Sequence, residues 1–569
     1  MNEDDELIAQ ANQSWGEIVA STLHELGVIN IFFSPGSRST PLVLGFERHP
    51  KLNCTPVLDE RSAGFIALGF SKRTQRPSAI LCTSGSALTN WFPAVVEASY
   101  SGTPIILLSA DRPPELQDCG AGQTINQVNL FGAFVRSFYQ ISVPELSAKS
   151  INKLRSSIAD SHSYCLGQNP GPVHLNFPFR EPFQSKNKTK PPTLPFLQPR
   201  KVAIISKRDR IKNIDSISTE ISDAKCPVVI AGEHAPGQEV INWLSNYDIP
   251  VLCDSLSPLR NTAFPNRILR YENLLRHSRF VQDTIPDLVI TLGPLPTSKT
   301  LRKWINDTNC KRIVVEPRGI NVDPLSTPSQ SVKLPYEDLT KLIFRKTDQD
   351  WLQKWTHPEQ LIESNLIRVF SQELPNFEGK IARMLSLHIP DKSLLHVANS
   401  MPIRDIEWFW QAGNKEVKLF GNRGVNGIDG TLGTAIGIAH QSSNVTFLLT
   451  GELGFLHDSN ALLFASQFEG SLNVLLINND GGGIFENLPI AGQPEFEKCF
   501  ATPQCINFKN LCQSHNIDYK KPENWKDVIK LIKKPIKKGI RVVEIKTDRK
   551  SDIKTRQKLL AIGPRTRYA

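Results

Sequence analysis

The sequence has no internal repeat, no low-complexity tract, no C-x-x-C pair and no apolar run near the roughly 18 residues that a helical membrane span needs. Fibrous, array-like and helical-membrane architectures are therefore not expected. The ten cysteines are scattered along 569 residues and read as buried thiols rather than as a disulfide framework or zinc site. No G-x-G-x-x-G follows a predicted strand with an acidic residue at the right distance, which argues against a dinucleotide-binding dehydrogenase. The first residues, 1–6, are acidic and resemble neither a secretory n-region nor an Arg-rich transit peptide, so a cytoplasmic location is expected. The formal charge is +10, but the basic residues are dispersed except in the tail, at Lys550, Lys554, Arg556, Lys558, Arg565 and Arg567. That tail alternates basic and apolar residues, as a solvated terminal helix would. Internal arginines suit anionic small substrates better than nucleic acid.

What the chain does have is the composition of a globular protein, 40% apolar and 21% charged. Its length is too great for one core and suggests about three domains. Polar stretches at 184–199 and 345–359 divide it into 1–190, 191–350 and 351–569, although Trp351 and Trp355 suggest that the second stretch packs on something. Short β-branched apolar runs recur at 79–83, 104–109, 173–177, 228–231, 251–253, 288–292, 313–316, 445–450, 474–478 and 542–545, separated by stretches of helical period. Continuous rather than alternating apolar strands predict parallel sheets covered on both faces. The expected fold is α/β, as three consecutive parallel-sheet α/β/α domains. In such sheets ligands lie beyond the carboxyl ends of strands.

The predicted strand 445–450 runs into Gly451-Glu452-Leu453-Gly454, and the strand 474–477 runs into Asn478-Asn479-Asp480-Gly481-Gly482-Gly483. A carboxylate at one strand end, with an amide and a glycine carbonyl at the next, is an oxygen set suited to Mg²⁺ or Mn²⁺ with phosphate oxygens and water. Each string alone reads as a turn, but Glu452 and Asn479 are 27 positions apart, the span of one helix and one strand. The pair resembles the fingerprint of thiamine-diphosphate enzymes. That resemblance implies Glu452, Asn479 and the Gly481 carbonyl as metal ligands, and the cofactor near Gly451 and Gly454. Glu452 departs from the fingerprint's Asp by one methylene, which must retract the arm or shift the metal.

Such a cofactor needs a carboxyl group against its aminopyrimidine ring, from a loop after a strand in another domain. Thr55-Pro56-Val57-Leu58-Asp59-Glu60-Arg61-Ser62-Ala63-Gly64-Phe65 supplies Glu60, with Asp59 as a rival and a helix-capping or ion-pairing role as the structural alternative. Upstream, Ser34-Pro35-Gly36-Ser37-Arg38-Ser39-Thr40-Pro41-Leu42 is a strand-to-helix loop of hydroxyls, backbone donors and a guanidinium, suited to a carboxylate or phosphate.

These strings, with Thr83-Ser84-Gly85-Ser86-Ala87, Ser109-Ala110-Asp111-Arg112-Pro113-Pro114, the segment 120–127, Ser298-Lys299-Thr300-Leu301, Asn399-Ser400-Met401-Pro402-Ile403-Arg404 and Asn422-Arg423-Gly424-Val425-Asn426-Gly427-Ile428-Asp429-Gly430, are similar in order to one enzyme family. It is the 2-succinyl-5-enolpyruvyl-6-hydroxy-3-cyclohexene-1-carboxylate synthases of menaquinone and phylloquinone biosynthesis. The resemblance implies a three-domain thiamine-diphosphate-enzyme fold: a pyrimidine-binding block with Glu60, a central scaffold, and a diphosphate- and metal-binding block. It also implies decarboxylation of 2-oxoglutarate and 1,4-addition of the succinyl-semialdehyde unit to isochorismate. Ser37, Arg38, Arg112, Lys299, Arg404 and Arg423 fall at the family's anion-binding positions. By that resemblance Arg404 and Arg423 serve the succinyl arm, and Arg38, Arg112 and Lys299 serve isochorismate. Gln123 corresponds to an amide beside the cofactor, although Gly122 stands where the family has Asn. Ile484, Phe485 and Leu488 would wall the thiazolium, Ile428 would support the bent cofactor, and Ser400 would contact its diphosphate. Sites of this kind form between subunits, which implies a homodimer or dimer of dimers with Glu60 acting in trans. The alternatives are another thiamine-diphosphate decarboxylase or carboligase, which has no need of Arg38, Arg404 and Arg423, and a non-catalytic binding protein on the same fold.

Overall fold

The computed structural model describes residues 3–185, 205–372 and 376–564. Most of the expected linker at 184–199, and Arg565 and Arg567 of the basic tail, lie outside them. Among the described residues the strands form three six-stranded sheets, and every strand pairing is parallel. All ten apolar runs predicted as strands are strands, their bounds shifted by at most a few residues. Most of those strands are buried along their whole length, because helices cover both faces.

The first sheet runs, from edge to edge, Asn53–Pro56, Asn30–Phe33, Ser78–Cys82, Ile105–Asp111, Val173–Pro178, Phe138–Gln140. Numbered within the sheet this is 2-1-3-4-6-5. The third sheet repeats that order with Lys418–Phe420, Leu394–Val397, Thr446–Gly451, Ser471–Asn478, Gly539–Lys546 and Asp518–Lys520. The middle sheet differs. Gln330–Val332, Lys311–Val315, Leu288–Leu292, Pro227–Ala231, Val251–Cys253 and Arg267–Ile268 follow the order 6-5-4-1-2-3. In each sheet the chain reverses direction across the sheet beside the first strand. Loops leaving the two strands there diverge and open a crevice.

The described residues form two compact units. One holds 3–185 with Asn422–Ser442 and Leu456–Gly470, and contains the first sheet. The other holds the second and third sheets, which share one hydrophobic core. The stretch at 345–359 is only partly the connection its polarity suggested. The helix Trp351–Ser371 begins within it, and Trp351 and Trp355 are buried in that shared core, with Trp355 edge-on to Phe280 and Trp304. The basic tail is likewise helical at Arg549–Leu560; Lys550, Lys554 and Lys558 are exposed, as expected of a solvated helix, but Arg556, with Arg549 before it, is buried and ion-paired. Four of the ten cysteines are buried and three are exposed, so the expectation of buried thiols holds for only part of the set. Among the described residues no helix is long and apolar enough to cross a membrane.

In the first unit the helix Glu60–Thr74 crosses the helix Thr431–Ala439 at backbone contact. A Cβ on Gly69 would lie 2.0 Å from the Thr434 carbonyl oxygen, and one on Gly437 would lie 1.9 Å from that of Ile66. Alanine would gain about 1 kcal/mol in helix propensity at either site, but the clash with rigid backbone outweighs it. Gly69→Ala and Gly437→Ala are therefore expected to lose about 1–3 kcal/mol or more each in chemical denaturation. Gly492→Ala, where a Cβ meets nothing within 4 Å, is expected to be nearly neutral.

Candidate active site

In the first unit the loops leaving the strands Asn30–Phe33 and Ser78–Cys82 lie side by side at the reversal point. Arg38, only 4% exposed, donates from Nη1 to the Phe179 carbonyl (2.8 Å) and from Nη2 to Glu181 (2.9 Å), and its guanidinium lies over the Phe183 ring. Burial lowers its pKa first, and the adjacent Arg112 lowers it further. Arg112 donates to Ser84 Oγ and to the Gly122 carbonyl. Gln123 has φ +56° and donates from Nε2 to the Ser84 carbonyl (3.1 Å), while Ser84 Oγ donates back to the Gln123 carbonyl (3.1 Å). Arg38, Arg112 and Gln123 thus belong to one cluster, with Ser37 exposed on its rim.

That cluster rests on a network of polar side chains centred on Asn176, a buried residue that no quoted motif contains. Asn176 accepts at Oδ1 from Ser109 Oγ and Gln127 Nε2 (both 2.7 Å) and donates at Nδ2 to Asp111 (2.7 Å) and Gln140 (2.9 Å). Gln127 in turn accepts the Gly85 amide (3.0 Å), so one asparagine ties the ends of two strands to the loop beside Gln123.

At the start of the helix Glu60–Thr74, Asp59 and Glu60 have separate tasks. Asp59 is the N-cap: Oδ1 accepts the Ser62 amide (3.1 Å) and Oδ2 accepts Asn460 Nδ2 (2.9 Å). Glu60 has no cationic partner among the described residues, and burial, with Asp59 nearby, raises its pKa. The string 422–430 is pinned in the same unit by buried Glu97, which accepts the amides of Gly424 (3.0 Å) and Val425 (2.9 Å) and pairs with Lys72 (3.0 Å). Asn426 has φ +62°, and the Ile428 carbonyl accepts Thr431 Oγ1. Buried Asp458 caps the following helix through the Gly433 amide (2.6 Å), and its carboxyl is pushed up to about 7 by burial.

In the second unit the strand Thr446–Gly451 delivers Glu452, and Ser471–Asn478 delivers Asn479. Both are buried. Glu452 Oε1 accepts the Gly481 amide at 2.5 Å, which ties this strand end to the opposite turn. Gly481 has φ +132°, a conformation open to glycine, and its carbonyl accepts the Gly483 amide. Asn479 Oδ1 is buried with no hydrogen-bond partner among the described residues, and burial pushes the Glu452 carboxyl up to about 7, with Glu378 adding to the rise. A buried acceptor lacking a donor beside a carboxylate lacking a counter-ion fits a hard cation. A Cβ on Gly451 would meet nothing within 4 Å, which leaves space at that strand end.

Ser400 leaves the strand Leu394–Val397 in a strained conformation (φ +71°, ψ −128°), and its carbonyl accepts Arg404 Nη1. The turn Gly483–Asn487 carries Ile484 and Phe485, with Leu488 just beyond it and 38% exposed. Arg549, from the tail helix, fixes this turn through the Asp480 carbonyl, Glu486 and Glu497. Lys299 opens the helix Lys299–Thr308 and is exposed; the Ser298 cap and Thr300 both donate to Glu272, while Thr297 donates to Glu407 on the helix that carries Arg404.

Residues 13–130 match the family described as thiamine pyrophosphate enzyme, N-terminal TPP binding domain. The chain is similar to benzoylformate decarboxylase from Polynucleobacter necessarius, with TM-score 0.70 at 16% identity over 94% of this chain and 98% of that one, a likeness of fold. It is 38% identical to the 2-succinyl-5-enolpyruvyl-6-hydroxy-3-cyclohexene-1-carboxylate synthase of Trichodesmium erythraeum (strain IMS101), over 96% of this chain and 97% of the relative. It is 40% identical to that of Microcystis aeruginosa (strain NIES-843 / IAM M-2473), over 95% and 96%. The chain belongs to this synthase family.

Membership makes it a thiamine-diphosphate enzyme, and it bears on the two carboxylates at the start of the helix Glu60–Thr74. Removing the cap by Asp59→Ala is expected to cost about 1 kcal/mol. Glu60 behaves oppositely. An acid whose pKa is raised by folding costs stability where it is ionised, so Glu60→Ala should leave the unfolding midpoint at pH 8 unchanged or raised. A loss of stability for Glu60→Ala as large as that for Asp59→Ala would show that Glu60 is structural.

Proposed function

We propose that the protein decarboxylates 2-oxoglutarate and adds the remaining succinyl-semialdehyde unit to isochorismate by 1,4-addition, releasing CO₂, as a step of menaquinone or phylloquinone biosynthesis. The observation that carries the reaction class is Glu60, a carboxyl group held at a helix start with no cationic partner among the described residues while its neighbour does the capping. Thiamine diphosphate, when bound, supplies the electron sink that makes loss of CO₂ feasible. Glu452, Asn479 and the Gly481 carbonyl would hold Mg²⁺ or Mn²⁺ against its diphosphate, with Gly451, Gly454 and Ser400 beside it and Ile428 and Ile484 against its rings.

Glu60 with its raised pKa is suited to hold a proton at its carboxyl and share it with a ring nitrogen. Both substrates are dicarboxylates. Arg112 is close enough to Arg38 to disfavour the Arg38 charge, and a dianionic ligand would relieve that cost. We assign that pair, with Ser37 and Lys299, to isochorismate and Arg404 and Arg423 to the succinyl arm. Gln123 would position a reacting hydroxyl or water. Phe485 and Leu488 would exclude water where the carboxylate leaves, which disfavours the charged group over its uncharged product. We assign one domain to each sheet, as 1–190, 191–350 and 351–569, and propose a homodimer or dimer of dimers with Glu60 acting in trans.

The test is CO₂ release and product formation from 2-oxoglutarate, with and without isochorismate. The adduct should form only with both substrates; equal turnover of pyruvate would overturn the substrate assignment. Glu60→Gln should retain the cofactor and lose turnover by about 10²–10⁴-fold. Chelation should abolish turnover, with Mg²⁺ or Mn²⁺ restoring it.

A further inference from the structure

Asn479 can present either its oxygen or its amide nitrogen, and only the oxygen can ligate a cation. Behind it stands Glu378, a buried residue that no motif singles out. Its Oε2 accepts Asn479 Nδ2 at 2.8 Å. A carboxylate accepts but does not donate, so this contact fixes the amide and leaves Oδ1 as the unpartnered buried acceptor. The other oxygen of Glu378 accepts Arg556 Nη2, and Arg556 also makes a bidentate pair with Asp405, both bonds 3.0 Å. Arg556 is buried, lies over the Phe377 ring, and comes from the terminal helix more than seventy residues after Asn479. Glu378 thus has donors on both sides, the guanidinium on one and the asparagine amide on the other.

We infer that Glu378 is a positioning residue: held by Arg556, it sets the orientation of the Asn479 amide so that an oxygen faces the metal position. This rests on the assignment of Asn479 as a metal ligand. The consequence of Glu378→Gln is specific. The introduced side chain would have to turn its oxygen to Arg556, because an amide NH₂ facing a guanidinium is donor against donor. Its NH₂ would then face Asn479, which would turn its oxygen inward and present Nδ2 to the metal. A second exchange undoes this. In E378Q/N479D the glutamine NH₂ donates to one oxygen of the new aspartate and leaves the other free, with the charge of the pair unchanged.

The experiment is titration of Mn²⁺ into the full-length protein at saturating thiamine diphosphate, with free Mn²⁺ read by electron paramagnetic resonance and folding checked by circular dichroism and thermal midpoint. Wild type should bind. E378Q should fold and bind Mn²⁺ about 10–100-fold more weakly, and E378Q/N479D should recover to within about tenfold of wild type, as matching of donors to acceptors requires. Folded E378Q with wild-type Mn²⁺ affinity would overturn the inference, as would a double variant no better than E378Q. Should E378Q fail to fold, the double variant must still fold and bind, and its failure overturns the inference on its own. No Mn²⁺ binding by wild type would instead overturn the metal assignment beneath it.

Discussion

Parallel strand pairing is the constraint on which the rest of this structure depends. In a parallel sheet every strand points the same way, so every loop that leaves a carboxyl end emerges on one edge. Ser34–Leu42 and Thr83–Ala87, far apart in sequence, become neighbours because the strands before them are paired, Ile31 with Ala79 and Phe33 with Leu81. The same register places Glu452 one residue beyond Gly451, whose partner is Ile477, and so brings Asn479 and Gly481 opposite it. The first and third sheets share one strand order, and in both the loops after the first and third strands emerge side by side. The candidate site residues thus lie mostly beyond strand ends, and the apolar strands themselves set only where those ends lie.

A second constraint follows from the first. The helices and turns packed over a covered sheet are poorly hydrated, so carboxylates buried there carry a desolvation cost that must be met locally. The protein meets it in different ways. Asp458 accepts helix amides, Glu97 accepts two loop amides and a lysine, and Glu378 with Asp405 surrounds Arg556. Glu452 is buried, receives only backbone amides and sits near a second carboxylate, which is why its carboxyl is raised.

The sequence made the strands and loops legible to very different degrees. Central strands such as Leu288–Leu292 announce themselves because burial on both faces demands an unbroken apolar run. Edge strands such as Asn53–Pro56, Phe138–Gln140 and Asp518–Lys520 do not, since they are short and partly exposed, and their pairing is tertiary. The loop strings were legible because glycine, hydroxyl and charge concentrate there. Their supports were not: Asn176, Glu97, Asp458, Glu378 and Arg549 are single polar residues in otherwise ordinary helices and strands. A buried Arg556 looked like one more base in a basic tail, because burial of a helix end depends on what packs above it and not on its own composition.

Glu452 draws these threads together. One extra methylene in a metal-binding carboxylate would push the ligand oxygen outward on a rigid strand end. Here the carboxylate is held by the opposite turn, with Oε1 on the Gly481 amide, and Gly481 can take its φ of +132° only because it lacks a side chain. The substitution is therefore accommodated by the partner turn rather than by the strand, whose register is fixed by six consecutive parallel pairs. A turn held in this way must itself be anchored, and Arg549 supplies the anchor through the Asp480 carbonyl and Glu486. Thus the turn that receives Glu452 is anchored by an arginine from the helix Arg549–Leu560, and that helix belongs to the architecture of this strand end.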